Sequence, residues 1–119
     1  LTQNVTTSTA LIEVENVATY LGMPVITLNI IDTPVGTASF SLGNPTTSQY
    51  ISVNGVSVSN GSSIVFDSVL KRITVDGREI RGYGSYPKWL RGIGALEYYD
   101  DILGTRTIEI VPKYIPRYL

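Results

Sequence analysis

The sequence predicts an all-β protein, an antiparallel β-sandwich or jelly roll, on three observations. Twelve Val, 13 Ile and 13 Thr stand against 4 Ala in 119 residues, and β-branched side chains suit a pleated, half-buried surface better than a helix. Apolar and polar residues alternate with period two in many short stretches, and none sustains a helical period. Eleven Gly and 6 Pro, helped by Asn and Asp, break the chain roughly every 8–12 residues, the rhythm of sandwiches.

Each element follows from its own pattern. Residues 1–9 are polar and Thr-rich and read as a flexible arm or linker, leaving 10–119 as one sandwich domain. Leu11 to Glu15 alternates, with Ile12 and Val14 inward and Glu13 and Glu15 outward. Val25 to Ile31 sends Ile26, Leu28 and Ile30 one way, and Asp32-Thr33-Pro34 ends it with turn chemistry. Ala38, Phe40 and Leu42 alternate with Ser39 and Ser41. Asn54-Gly55, between Ile51-Ser52-Val53 and Val56-Ser57-Val58, reads as a tight hairpin, because both residues tolerate positive φ. Asn60-Gly61 repeats the signal. Ile64 to Phe66 is a short strand ended by Asp67-Ser68. Val69 to Val75, Asp76-Gly77 and Arg78 to Ile80 form the clearest hairpin. Pro87 to Arg91 is the one place for a helical turn. Leu96 to Tyr99 and Thr105 to Val111 are the last strands, and Pro112 and Pro116 suit an edge or tail that tolerates missing donors. The expected core is Ile12, Val14, Ile26, Leu28, Ile30, Phe40, Leu42, Ile51, Val53, Ile73, Val75, Ile108 and Ile110.

Composition excludes several kinds of chemistry. Cys and His are both absent, which rules out disulfides, thiolate metal sites, Ser-His-Asp and Cys-His catalysis. Nine basic against ten acidic residues is not the balance of a nucleic-acid binder. No apolar run approaches a membrane span, and Leu1 to Asn4 shows no signal-peptide pattern. Charge is nonetheless uneven: Glu13, Glu15 and Asp32 are the only charges before Asp67, and every Lys and Arg lies from Lys71 onward.

Carboxylates are the remaining catalytic candidates, and their spacing is poor. Asp100 and Asp101 are adjacent, so on a strand they point oppositely. Glu13 and Glu15 share a face of one strand, whereas glycosidase carboxylates normally face each other across a cleft. Asp67, Asp76, Asp100 and Asp101 read as turn formers rather than calcium ligands. The sequence therefore predicts no enzyme, no metal and no cofactor. The sequons Asn4-Val5-Thr6 and Asn60-Gly61-Ser62 read as chance matches in a Ser/Thr-rich chain.

Aromatic residues carry the binding candidates. Tyr83, Tyr86 and Trp89 recur three apart among Gly82, Gly84 and Pro87, where rings could stack on sugars; the competing reading is that Trp89 plugs the core. Arg91 beside that loop, with Tyr114 and Arg117 in the terminal segment, adds residue types enriched at interface hot spots.

The second half holds an ordered series: Gly61 to Asp67, Arg72 to Gly77, Tyr86-Pro87-Lys88-Trp89-Leu90, Gly92 to Tyr98, and Ile108 to Leu119. It resembles the C-terminal domain of siphophage distal tail proteins, in which a strand ending in Asp leads to a Gly-turn hairpin, an aromatic-Leu loop, a Gly-x-Asn strand entry and a final Arg-Tyr-Leu-like tail. Asn16 to Leu28, with Gly22 and Pro24, resembles the entry segment of that domain. The resemblance spans residues 11–119. Gly94 stands where the family usually has Asn, and the ring-forming N-terminal domain has no counterpart here. The resemblance implies a galectin-like sandwich and a structural role at the phage tail tip or baseplate. It also implies a virion location after synthesis in the host cytoplasm, and other tail proteins as partners. The isolated domain is expected to be a monomer, and hexameric rings belong to full-length distal tail proteins. The alternative is a carbohydrate-binding module for host surface glycans. Nucleic acid and membrane are not expected partners.

Overall fold

A computed structural model describes residues 3–16, 24–34, 36–88 and 92–114. In chain order its strands are β1 (Gln3–Val5), β2 (Thr9–Asn16), β3 (Pro24–Asp32), β4 (Gly36–Asn44), β5 (Gln49–Val58), β6 (Ser63–Asp67), β7 (Arg72–Val75), β8 (Arg78–Ile80), β9 (Tyr83–Gly84), β10 (Gly92–Asp100) and β11 (Thr107–Tyr114). They form two antiparallel sheets. The first has the order β1-β11-β3-β6-β7-β8 and the second β2-β10-β4-β5-β9. The chain is thus an all-β sandwich, as its period-two patterning requires.

Every residue of the expected core is buried. Leu28, Ile64, Ile108 and Ile110 from the first sheet and Leu42, Val53, Leu96 and Tyr98 from the second are wholly shut from solvent. Removing apolar surface from water drives this packing at about 25 cal/mol per Å². Of the adjacent pair Tyr98 and Tyr99, the first faces the core and the second is exposed, as strand alternation dictates.

The hairpin at Asp76-Gly77 forms as expected. Asp76 has φ 50° and Gly77 φ 85°, two consecutive left-handed residues joining β7 to β8, with Val75 opposite Arg78. Asp76 also ties back to β6: its Oδ1 accepts the Ser63 amide at 2.9 Å, and its own amide donates to the Ser63 carbonyl at 2.9 Å.

Three expectations need correction. Asn54-Gly55 is not a hairpin turn. It lies inside the continuous strand β5, where Ala38 pairs with Val56 and Phe40 with Val53. Two residues of β5 therefore oppose Ser39 alone, which makes a β-bulge with Gly55 at φ 61°. The extra residue resets the alternation, so Ile51 and Val53 before it and Val56 and Val58 after it all face inward. A two-residue hairpin would put Val53 and Val56 on one face in the same way, so the two solutions share one sequence pattern.

The first residues are not wholly a loose arm, because β1 pairs with β11 and Val5 enters the core. Residues 68–71 form the turn between β6 and β7. There Asp67 Oδ1 accepts the Val69 and Leu70 amides at 2.9 and 3.0 Å, so β7 starts at Arg72 and not at Val69. Of the expected helical turn at 87–91, Pro87 and Lys88 are irregular and the remainder lies outside the described residues. Pro112 pairs with Ile26 of β3, beyond the reach of β1, so its missing N–H faces no strand among the described residues.

Candidate binding surfaces

The outer face of the second sheet is built from residues that alternate with the core. Across it runs one row of paired positions: Thr9, Tyr99, Ser41, Ser52 and Tyr83, on β2, β10, β4, β5 and β9. Paired residues share a face, so Tyr99 and Tyr83 stand at the two ends of a floor made by two serines. Ser52 Oγ donates to Ser41 Oγ at 3.2 Å. Tyr99 and Tyr83 are 47% and 50% exposed, and three strand spacings separate them, roughly 14 Å.

The next row holds Leu11, Glu97, Gly43 and Tyr50. Tyr50 lies flat across β4, and its hydroxyl donates to Glu97 Oε1 at 2.6 Å. This hydrogen bond, with smaller contributions from partial desolvation and the Glu97 charge, raises the Tyr50 hydroxyl above its ordinary pKa. Only Gly fits beneath the ring, because a Cβ at Gly43 would sit 2.0 Å from Tyr50 Cδ1.

A second feature lies at the open side of the sandwich, where β8 ends the first sheet and β9 the second. A groove of about 380 Å³ runs between them, walled by Asn54 to Ser57 of β5, Val75, Arg78, Ile80, Arg81 and Tyr83. The Arg81 guanidinium lies 5.4 Å from the centre of the Tyr83 ring, a cation–π distance.

The sequence-derived candidates do not all meet. Tyr83 is exposed on the outer face, whereas Tyr86 is half-buried and packs against the core. Lys71 Nζ sits 5.2 Å from the Tyr86 ring centre. Burial first, then the Asp67 and Glu79 charges, raises the Tyr86 hydroxyl above its ordinary value. Tyr114 ends β11 opposite Pro24, and its side chain is not described. Trp89, Arg91 and Arg117 lie outside the described residues. Sequence reasoning missed Tyr99, Tyr50, Glu97, Arg78 and Arg81. The signal available for the first three was the outward phase of β5 and β10; the groove arises only from the approach of two sheets.

The carboxylates separate as their adjacency demands. Asp101 is exposed and accepts the Ser39 amide at 2.7 Å. Asp100 is wholly buried, with its Oδ1 accepting the Ile102 amide at 3.0 Å and lying 3.2 Å from Arg106 Nη2. Arg106 Nη2 also donates to the Ile102 carbonyl, while its buried Nε has no partner among the described residues. This cluster closes the crossing from β10 to β11. Among the described residues no group of three acidic side chains is arranged to hold a metal ion.

No family model and no curated protein matches the chain. Among solved structures, a chain of the acidic stable capsid structure of Helicobacter pylori bacteriophage KHP30 is similar at 12% identity and a TM-score of 0.32, over 98% of this chain and 95% of that one.

Proposed function

We propose that this sandwich is a structural component of a phage particle, seated at the tail tip or baseplate, where it docks other tail proteins or host-binding modules. The observation that supports this reading is the order of motifs between Gly61 and Tyr114. Within the resembled tail domain the same succession runs through a strand ending in Asp, a Gly-turn hairpin and two long closing strands. Here β6 ends at Asp67, β7 and β8 turn at Gly77, and β10 and β11 follow as the last strands in chain order, one in each sheet. In this reading the domain performs no catalysis, needs no cofactor and is a monomer by itself.

Immunogold electron microscopy of particles made by the host of origin, with antibodies raised against the purified domain, tests it. Gold at the distal end of the tail is expected. Gold on the head alone, or on no particle, overturns the reading.

A second reading rests on the Tyr99–Ser41–Ser52–Tyr83 row. Two exposed rings flanking a hydroxyl-lined floor offer apolar faces for sugar C–H groups and donors for sugar hydroxyls. Glycan-array binding lost on Tyr99→Ala supports this reading, and binding that Tyr99→Ala leaves unchanged counts against it.

A further inference from the structure

We propose that the groove between β8 and β5 is a docking site for an acidic, extended segment of another polypeptide, added as a strand along the free edge of β5. Three observations converge on it. First, β9 covers β5 only at Ile51 and Ser52, so among the described residues the outer edge from Val53 to Val58 has no strand partner. An unpaired edge presents backbone donors and acceptors in register for an added strand. The bulge at Asn54-Gly55 interrupts the ladder within that edge, so an added strand pairs on either side of it and the side chains around it decide which segment fits.

Second, those side chains are cationic. Arg78 and Arg81 are exposed on the groove wall, and the ion pair recorded among the described residues is Arg106 with Asp100. Neither groove arginine is paired with a carboxylate among the described residues, so Arg78, and Arg81 from its place 5.4 Å from the Tyr83 ring centre, can form two-pronged hydrogen bonds with carboxylates. Third, Val56, Val75 and Ile80 supply an apolar floor between the guanidinium groups and the β5 edge. A segment with carboxylates at alternate positions would place them toward the arginines while its backbone pairs with β5. A peptide fits better than a sugar here, because Arg81 already occupies the neighbourhood of the Tyr83 ring.

The test is peptide titration of the purified chain, followed by backbone-amide NMR and calorimetry. It needs no virion, so its failure is distinct from failure of the particle-labelling experiment. The probes are blocked seven-residue peptides alternating Thr with Glu, Gln or Lys. The Glu peptide is expected to shift the amides of Val53 to Val58, Arg78 and Arg81, and to bind more weakly as salt rises. Arg78→Glu with Arg81→Glu is expected to weaken it on the order of tenfold or more, and Arg78→Gln with Arg81→Gln to weaken it as well. Arg72→Glu, which is exposed on β7 outside the groove, is expected to leave it unchanged. Equal binding of the Gln peptide, shifts confined to the outer face of the second sheet, or unaltered binding by both arginine double variants overturns the proposal. Shifts of the groove amides by an acidic disaccharide such as digalacturonate, without a response to the Glu peptide, overturn it in favour of a saccharide site.

Discussion

Tyr98 Oη donates to Asp100 Oδ2 at 2.5 Å, and both side chains are wholly removed from solvent. The two residues are two positions apart on β10 and so point the same way. The other carboxylate oxygen faces Arg106, which makes Asp100 the acceptor shared by a phenol, a guanidinium and the Ile102 amide. An interior charge is tolerable only with partners of this kind.

Asp100→Ala should therefore be among the most damaging single substitutions. It strands the Arg106 charge in the interior, for which about 3–5 kcal/mol is expected. Urea unfolding of the variant measures this. Replacing both charged partners by apolar residues, Asp100→Leu with Arg106→Met, should recover only part of the loss, because the Tyr98 hydroxyl and the Ile102 amide still lose their buried acceptor. Full recovery would show that these two hydrogen bonds contribute little.

Stability should fall in alkali. Burial, then the hydrogen bond to Asp100 and the Asp100 charge, push the Tyr98 hydroxyl far above its ordinary value of 10.0, with Arg106 opposing in part. Because the folded value is raised, the stabilisation is complete below the unfolded value and declines once the unfolded chain begins to ionise, above about pH 10. Tyr98→Phe should flatten the decline in melting temperature between about pH 9 and pH 11. An equally steep decline in that variant would assign the effect to other groups.

Gly77→Val should cost about 1–3 kcal/mol, because Gly77 holds φ 85° and a β-branched residue is strained there. The added Cβ itself meets nothing within 4 Å, so the loss would be one of backbone conformation and not of packing. Gly77→Asn should be milder, since Asn tolerates the left-handed region. Thermal melts of the two variants separate the cases.

Gly43→Ala should dislodge Tyr50. The new Cβ would lie 2.0 Å from Tyr50 Cδ1 and 2.7 Å from the Gln49 carbonyl oxygen, and overpacking of this sort costs about 1–3 kcal/mol. Adding Tyr50→Ala should restore part of the loss but not all, because the carbonyl contact remains. Full recovery would mean that the ring is the sole obstacle.

Much of this fold is legible from alternation alone. Phe40 and Leu42 had to share a face, and Ser39 and Ser41 the opposite one, because a pleated strand allows nothing else. Asp76-Gly77 names its turn for a reason internal to the backbone: two left-handed residues in succession join strands of natural twist. The candidate surfaces were less legible. Tyr83 and Tyr86 look equivalent by spacing, yet the path after β9 leaves one exposed and folds the other against the core.

Local chemistry thus determined the class, the core and the tight turn by itself, since each depends on residues within a few positions of one another. Partnership was decided by the tertiary structure. Asn54-Gly55 became a bulge and not a turn because β4 continues alongside both halves of β5. Gln3–Val5 became a strand because the edge of β11 was free to take it. Arg78, Arg81 and the β5 edge became one groove because two sheets end side by side. In each case the deciding neighbour is distant in sequence, and hydrogen bonding between strands carries no signal in either strand alone about which partner it will find.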